Sequence, residues 1–279
     1  MAITTVDQLL AGFQPAHMWF KNTGVMEAIG IAHSLLLTPG VPGAGFIPGA
    51  VVGGTAVVGS LSGMPPFVNP PVDKKAYLAR VALDSAISGK LYLHDRLWHF
   101  TGVVVTQTTA QTINSVEFPP RDFNGTSNGE GVLVALECYF ATTNGAVLTQ
   151  PTLQYTNSDG VTGRTGTFSA IAAAVGSNWP ATAVAGTLVP FQLQAGDRGV
   201  RSIQSLTLGA SMVSGTVGIV AYRPLCTVEI PIIHSGQQLD WSQLGLPELY
   251  NGTSFWLAFK SLSLLTGGMV WGQIQCAHG

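Results

Sequence analysis

The chain has 279 residues, enough to bury a large core without disulfides or metal. Hydrophobic residues make up 46% of it, but charged residues only 9%, where soluble domains average about 25%. With a net charge of −2, and with Lys74-Lys75 the only adjacent pair among 12 Lys and Arg, the composition excludes a clustered basic surface for specific nucleic-acid binding. Such sparse charge favours association, so the sequence predicts a protein whose surface is largely covered by partners.

The elements are read in chain order. Thr5-Val6-Asp7-Gln8 has capping-box spacing and predicts a short helix over 6–11, stopped by Gly12 and closed by Pro15. The opening residues lack a basic stretch followed by a long apolar run, so no signal peptide is expected. Residues 17–37 are apolar with some β character. Between Glu27 and Asp73 nothing carries a formal charge, and Gly and Pro interrupt the segment throughout. It contains no unbroken apolar run of about 18 residues, so no membrane-spanning helix is expected. Gly and Pro exclude a continuous helix or a central strand. Disordered tracts are polar, whereas this one carries Phe46, Ile47, Val51, Val52, Val57, Val58, Leu61, Met64, Phe67 and Val68. It is predicted to be an extended apolar arm laid along another surface, and Phe46, Ile47, Val51, Val52, Val57, Leu61, Met64 and Phe67 are its candidate subunit contacts.

Charge returns at Asp73, and alternating runs begin: KLYLHDRLWHFTGVVV, GVLVALECYF, PTLQYTNSDGVTGRTGTFSAI, SIQSLTLGASM, TVGIVAYRP, SFWLAFKSLSLL and MVWGQIQCA. Short β runs punctuated by Gly, Pro, Asn and Asp predict a mainly β fold, a β-sandwich with the jelly roll as one form of it. Asn157-Ser158-Asp159-Gly160 is a strong turn signal. Residues 76–88 are balanced between helix and strand, and 239–250 hint at a second helix. No fixed-period repeat occurs. The expected division is a helix and arm over 1–72 and a β-sandwich domain over 73–279.

Chemistry-bearing residues are few. His94 and His99, the closest histidines, are an odd number apart on a predicted strand, which sends them to opposite faces. No metal site, catalytic residue or cofactor site is expected from them. Asp95, Arg96, Arg121 and Asp122 read as an ion-pairing scaffold, because lone buried charges are costly. Glu117, Asp122, Glu130 and Glu137 are the acids a glycoside hydrolase reading would use, and that reading is the least favoured. No nucleophile elbow or phosphate loop appears. Asn124-Gly125-Thr126 and Asn251-Gly252-Thr253 fit glycosylation sequons but read more simply as turns. In QAGDRGVRS, a tight turn leads into a strand, and Arg198 and Arg201 are candidates to reach a neighbour's carboxylates. The six tryptophans are dispersed, as core or interface residues are. Cys138, Cys226 and Cys276 are odd in number and lack metal spacing, so buried free thiols are expected.

Several stretches together resemble virion structural proteins of tailed bacteriophages, of capsid-associated or decoration type. They are KLYLHDRLWHFTG, FPPRDFNGTSNGEGV, YTNSDGVTGRT, LQAGDRGVRSIQSLTL, YRPLC, LGLPELYNGTSFWLAF and the terminal MVWGQIQCAHG. The resemblance spans most of the chain from about Tyr77 onward, includes the apolar, Gly-rich lead-in, and is most specific in YTNSDGVTGRT with LQAGDRGVRSIQSLTL. It implies a non-enzymatic component of the particle, assembled in the host cytoplasm and contacting copies of itself and other virion proteins. It supplies no catalytic residues; no membrane and no specific nucleic acid are expected as partners, from the apolar runs and the charge pattern above. A glycan- or receptor-binding virion module, with a surface glycan as partner, is the alternative.

Overall fold

The computed structural model describes residues 3–26, 28–143, 151–168, 179–180, 182–263 and 267–279. The end of the predicted run through 169–171 lies outside them. In chain order the elements are α1 (Val6–Gly12), β1 (His17–Asn22), β2 (Ala32–Ser34), β3 (Gly40–Val41), β4 (Thr55–Ala56), β5 (Ala76–Ser85), β6 (Gly89–Phe100), β7 (Gln111–Thr112) and β8 (Leu133–Phe140). They continue with β9 (Thr152–Asn157), β10 (Arg164–Phe168), β11 (Thr187–Gln192), β12 (Val200–Thr207), β13 (Thr216–Ile230), β14 (Gln237–Asp240), α2 (Trp241–Leu244), β15 (Glu248–Leu249), β16 (Phe255–Ser261) and β17 (Met269–His278).

The fold is mainly β, and every strand pairing is antiparallel. One sheet runs β14-β5-β17-β1-β3, with β15 also on β5. The larger sheet does not lie open as half of a simple sandwich. β2 pairs with β16, β16 with β6, β6 with β13, β13 with β8, β8 with β11, and β11 with β2 again. Six strands therefore close into a barrel, which removes their free edges. β11 also hands on to β10, from which β9, β12 and β7 extend.

Alternation divides each barrel strand between inside and outside. On one flank, outward residues such as Leu93 and Phe259 meet Val81 and Leu83 of β5 and Val270 and Ile274 of β17 in one core. On the other flank, Val134, Leu136 and Ile219 meet Leu153 of β9 and Ile203 and Leu206 of β12 in a second core.

Residues 76–88 resolve as strand β5. Its alternation buries Leu78, Val81 and Leu83, and β17 pairs with it from Ala76 to Ser85. A bulge opposite Gln275/Cys276 explains why adjacent Leu78 and Ala79 are both buried. The second helix hint shrinks to α2, a single turn. Its capping box joins Asp240 and Gln243, and left-handed Gly245 ends it.

The first 72 residues are not a separate unit. β1 and β3 belong to one sheet, and β2 closes the barrel of the other. Nor is the Gly/Pro segment a detached arm. β4 pairs with β6, the Val57 amide donates to Leu97 O at 2.8 Å, and Trp98 Nε1 donates to Gly53 O at 3.0 Å. A Cβ on Gly54 (φ +73°) would lie 2.3 Å from the Trp98 ring, so only glycine lets the chain cross there. Further along, Thr101 Oγ1 donates to Pro48 O at 2.7 Å, Gly252 N donates to Asn69 Oδ1 at 2.8 Å, and Phe67 packs edge-on against Phe255. The surface that this apolar segment covers is the chain's own barrel.

Candidate functional site

Two features stand out: a fringe of apolar side chains held outward, and a barrel interior that is charged at depth and hollow at one end.

The predicted subunit-contact residues separate into two groups. Val57 and Met64 are buried in the chain's own packing, and Ile47, Leu61 and Phe67 are half-buried against the first core. These are already occupied, which corrects their assignment as free contacts. Phe46, Val51 and Val52 remain outward, the last 93% exposed, and Val58, Val68 and Val72 are exposed beside them in sequence. Arg198 does not wait for a neighbour's acid: it pairs with Asp159 at 2.9 Å and Glu130 at 3.4 Å. Arg201 is exposed.

Sequence reasoning missed a second outward apolar surface. Met18 and Phe20 of β1 alternate with buried Trp19 and Lys21, and they flank a shallow groove completed by Val41, Met269 and Trp271. The readable signal was MWFK, a strand apolar on both faces. Lys21 itself is buried, its Nζ donating to Thr38 O at 3.2 Å and Gly43 O at 2.9 Å. Burial lowers its pKa to about 8.

Asp95, Arg96 and Arg121 of the expected ionic scaffold are ion-paired, though not as sequence neighbours, while Asp122 accepts backbone N–H groups instead. Alternation sends Asp95 out of the barrel and Arg96 into it. Arg121 binds Asp95 through two nitrogens at 3.0 and 3.1 Å, Arg223 lies 3.7 Å away, and Ser254 N donates to the same carboxylate at 2.9 Å. Burial pushes the Asp95 carboxyl up, opposed by the two guanidinium groups. Inside, Arg96 approaches Glu137 at 2.7 Å, donates to Tyr139 Oη at 2.7 Å and lies over the Trp256 ring. Tyr139 donates to Glu137 at 2.7 Å, and Trp256 Nε1 donates to Ser34 Oγ at 2.9 Å. Burial alone would lower the Arg96 pKa, but Glu137 and Tyr139 outweigh it and the pKa stands raised.

The four acids of the hydrolase reading are not convergent. Glu137 sits in the barrel, and Glu130 pairs with Arg198. Glu117 accepts from Ser127, and Asp122 accepts four backbone N–H groups from Asn124, Thr126, Gly129 and Glu130, closing its own loop. Both sequons are turns, with Gly125 and Gly252 at positive φ.

His94 and His99 correct the odd-spacing argument. A register shift between Ala221 and Tyr222 against β6 inserts a residue near Leu97. Leu97 and Trp98 then both join the second core, and the alternation reverses beyond them. His99 thus returns to the Arg96 side, where burial and that guanidinium lower its pKa to about 3. Burial also lowers His94 to about 3 and His33 to about 4, so all three are neutral imidazoles at ordinary pH. Among the described residues no group of three metal-ligating side chains converges. Burial pushes the Cys226 and Cys276 thiols to about 12, and Cys138 Sγ donates to Phe140 O at 3.2 Å. Trp19, Trp98, Trp179 and Trp256 are buried, leaving Trp241 and Trp271 half-exposed.

Above this ionic layer the barrel contains a cavity of about 290 Å³, with walls from all six strands: Ala32, His94, Leu133, Leu188, Tyr222 and Ala258 among them.

No family model and no curated protein matches the chain. Among solved structures, the capsid asymmetric unit of cyanophage Pam1 is similar at 18% identity over 48% of this chain and 85% of that one, with a TM-score of 0.19. The VP2 subviral particle of infectious bursal disease virus is similar at 11% identity over 99% of this chain and 83% of that one, with a TM-score of 0.21. Likenesses this distant carry no argument about the fold or the function.

Proposed function

We propose that the chain is a structural component of a virus particle, a bacteriophage capsid or capsid-decorating protein that works by contact with copies of itself and with other virion proteins. The observation that carries this reading is the outward apolar fringe. Phe46, Val52 and Val72 are 78%, 93% and 89% exposed on a segment held by hydrogen bonds at Pro48, Gly53 and Asn69. In a chain with 9% charged residues, such a fringe is costly unless a partner covers it. A pre-ordered segment also loses little entropy on docking. The ordered set of motifs resembling tailed-phage virion proteins supports the same reading. So does the way Glu117, Asp122, Glu130 and Glu137 are used, each held in a structural contact; the role proposed is non-enzymatic.

The test is sedimentation velocity and electron microscopy on the purified chain and on the triple variant Phe46→Ser, Val52→Ser, Val72→Ser. The wild type is expected to form a defined higher-order species. The variant is expected to stay monomeric with unchanged thermal stability, because none of the three side chains packs in the core. A wild type that remains monomeric at every concentration, or a variant that assembles equally well, contradicts the proposal.

A further inference from the structure

The barrel cavity shares no lining residue with the proposed subunit-contact residues, and nothing in the proposed assembly role uses it. Protein interiors are close-packed, so about 290 Å³ left open at one end of a closed barrel calls for an occupant. Its walls are mostly aliphatic: Leu133, Leu188, Pro190 and Ala258. Its aromatic side is built around His94, whose ring stacks on Tyr92 at 6.0 Å and lies 4.5 Å from Tyr222. The His94 Nδ1 is buried with no hydrogen-bond partner, although the side chain lines the cavity. Charge at the mouth is unbalanced. Lys90 is neutralised by Glu229 at 2.8 Å, whereas Lys260, directly opposite Lys90 in the strand register and lining the cavity, forms no ion pair among the described residues.

We propose that this cavity binds a small aromatic carboxylate, a single ring with a short acid-bearing side chain. The ring lies among Tyr92, His94 and Tyr222, and the carboxylate rests on Lys260. The size follows from comparison: a cavity of about 150 Å³ accepts benzene, and this one is about twice as large. The ring preference follows from the aromatic side, where offset or edge-on contacts are favourable. The acid follows from Lys260 at the rim, uncompensated among the described residues, where a charge-assisted hydrogen bond is strong. The inference does not depend on the assembly role.

Calorimetric titration of the full chain with phenylpropionate and with its neutral analogue phenylpropanol tests it. Phenylpropionate is expected to bind about tenfold more tightly than the alcohol, a difference of about 1.4 kcal/mol. Lys260→Gln is expected to erase that preference while leaving the alcohol's affinity unchanged. Ala258→Phe, which fills the cavity, is expected to abolish binding of both. Failure of both ligands to bind the wild type overturns the proposal, as does undiminished binding to the folded Ala258→Phe variant. Equal affinity for acid and alcohol overturns the carboxylate assignment. Should Ala258→Phe fail to fold, nuclear Overhauser contacts between the bound ring and the His94 ring become the readout, and their absence overturns the site.

Discussion

Asp95→Asn is expected to lower the unfolding free energy by about 3–5 kcal/mol, among the largest single-residue effects in the molecule. The substitution preserves shape and an acceptor for Ser254 N–H. It removes the one negative charge that both Arg121 and Arg223 approach, and all three side chains are buried. Arg121 also donates to Val57 O at 2.8 Å and to Arg96 O at 2.9 Å, so it joins the apolar segment to β6. Loss of its counter-ion therefore loosens two elements at once. The control is Glu248→Gln, which breaks the exposed Lys75–Glu248 pair and is expected to cost at most about 1 kcal/mol. Urea unfolding of the two variants beside the wild type checks the contrast; similar losses in both would refute the role given to Asp95.

Excision of residues 30–72 is expected to abolish folding altogether, rather than to yield a folded protein that cannot assemble. The cut removes β2, the strand through which β16 and β11 close the barrel. It exposes both edges, strips Trp98 of Gly53 O and Arg121 of Val57 O, and leaves the core without Leu35, Leu36 and Met64. Each large buried aliphatic lost costs about 2–5 kcal/mol, and domain stabilities are only about 5–15 kcal/mol in total. Circular dichroism and proton NMR of the truncated chain check this. A dispersed, cooperatively unfolding spectrum would show that the segment is a removable strap after all.

What could be read from sequence was local. Alternation exposed β6, β8, β13, β16 and β17, because each has enough residues to show a period of two. Thr5 caps α1 as expected, its Oγ1 accepting from Gln8 N at 3.2 Å. The reciprocal half of the box differs, since Gln8 accepts instead from Thr4 N at 2.8 Å. That Asp95, Arg96 and Arg121 are ion-paired followed from the cost of burying lone charges in a chain with so few, but which acid each arginine meets did not.

What could not be read depended on distant contacts. Ala32-His33-Ser34 is too short to show a period, yet it closes the barrel. The apolar segment reads from sequence as extended and as covering a surface, but no local feature says that the surface belongs to the same chain. The bulge near Leu97 reverses the alternation without any Gly or Pro to announce it. The cavity is assembled by six strands spread from residue 30 to residue 260, so no stretch of sequence contains it.

Hydroxyl-radical footprinting of the assembled and dissociated protein tests the central claim most directly. Phe46, Val52 and Val72 are expected to be labelled in the dissociated chain and protected on assembly, while Val57 and Met64 stay protected in both. Equal labelling of Phe46, Val52 and Val72 in the two states would show that no partner covers the apolar fringe, and would contradict the account.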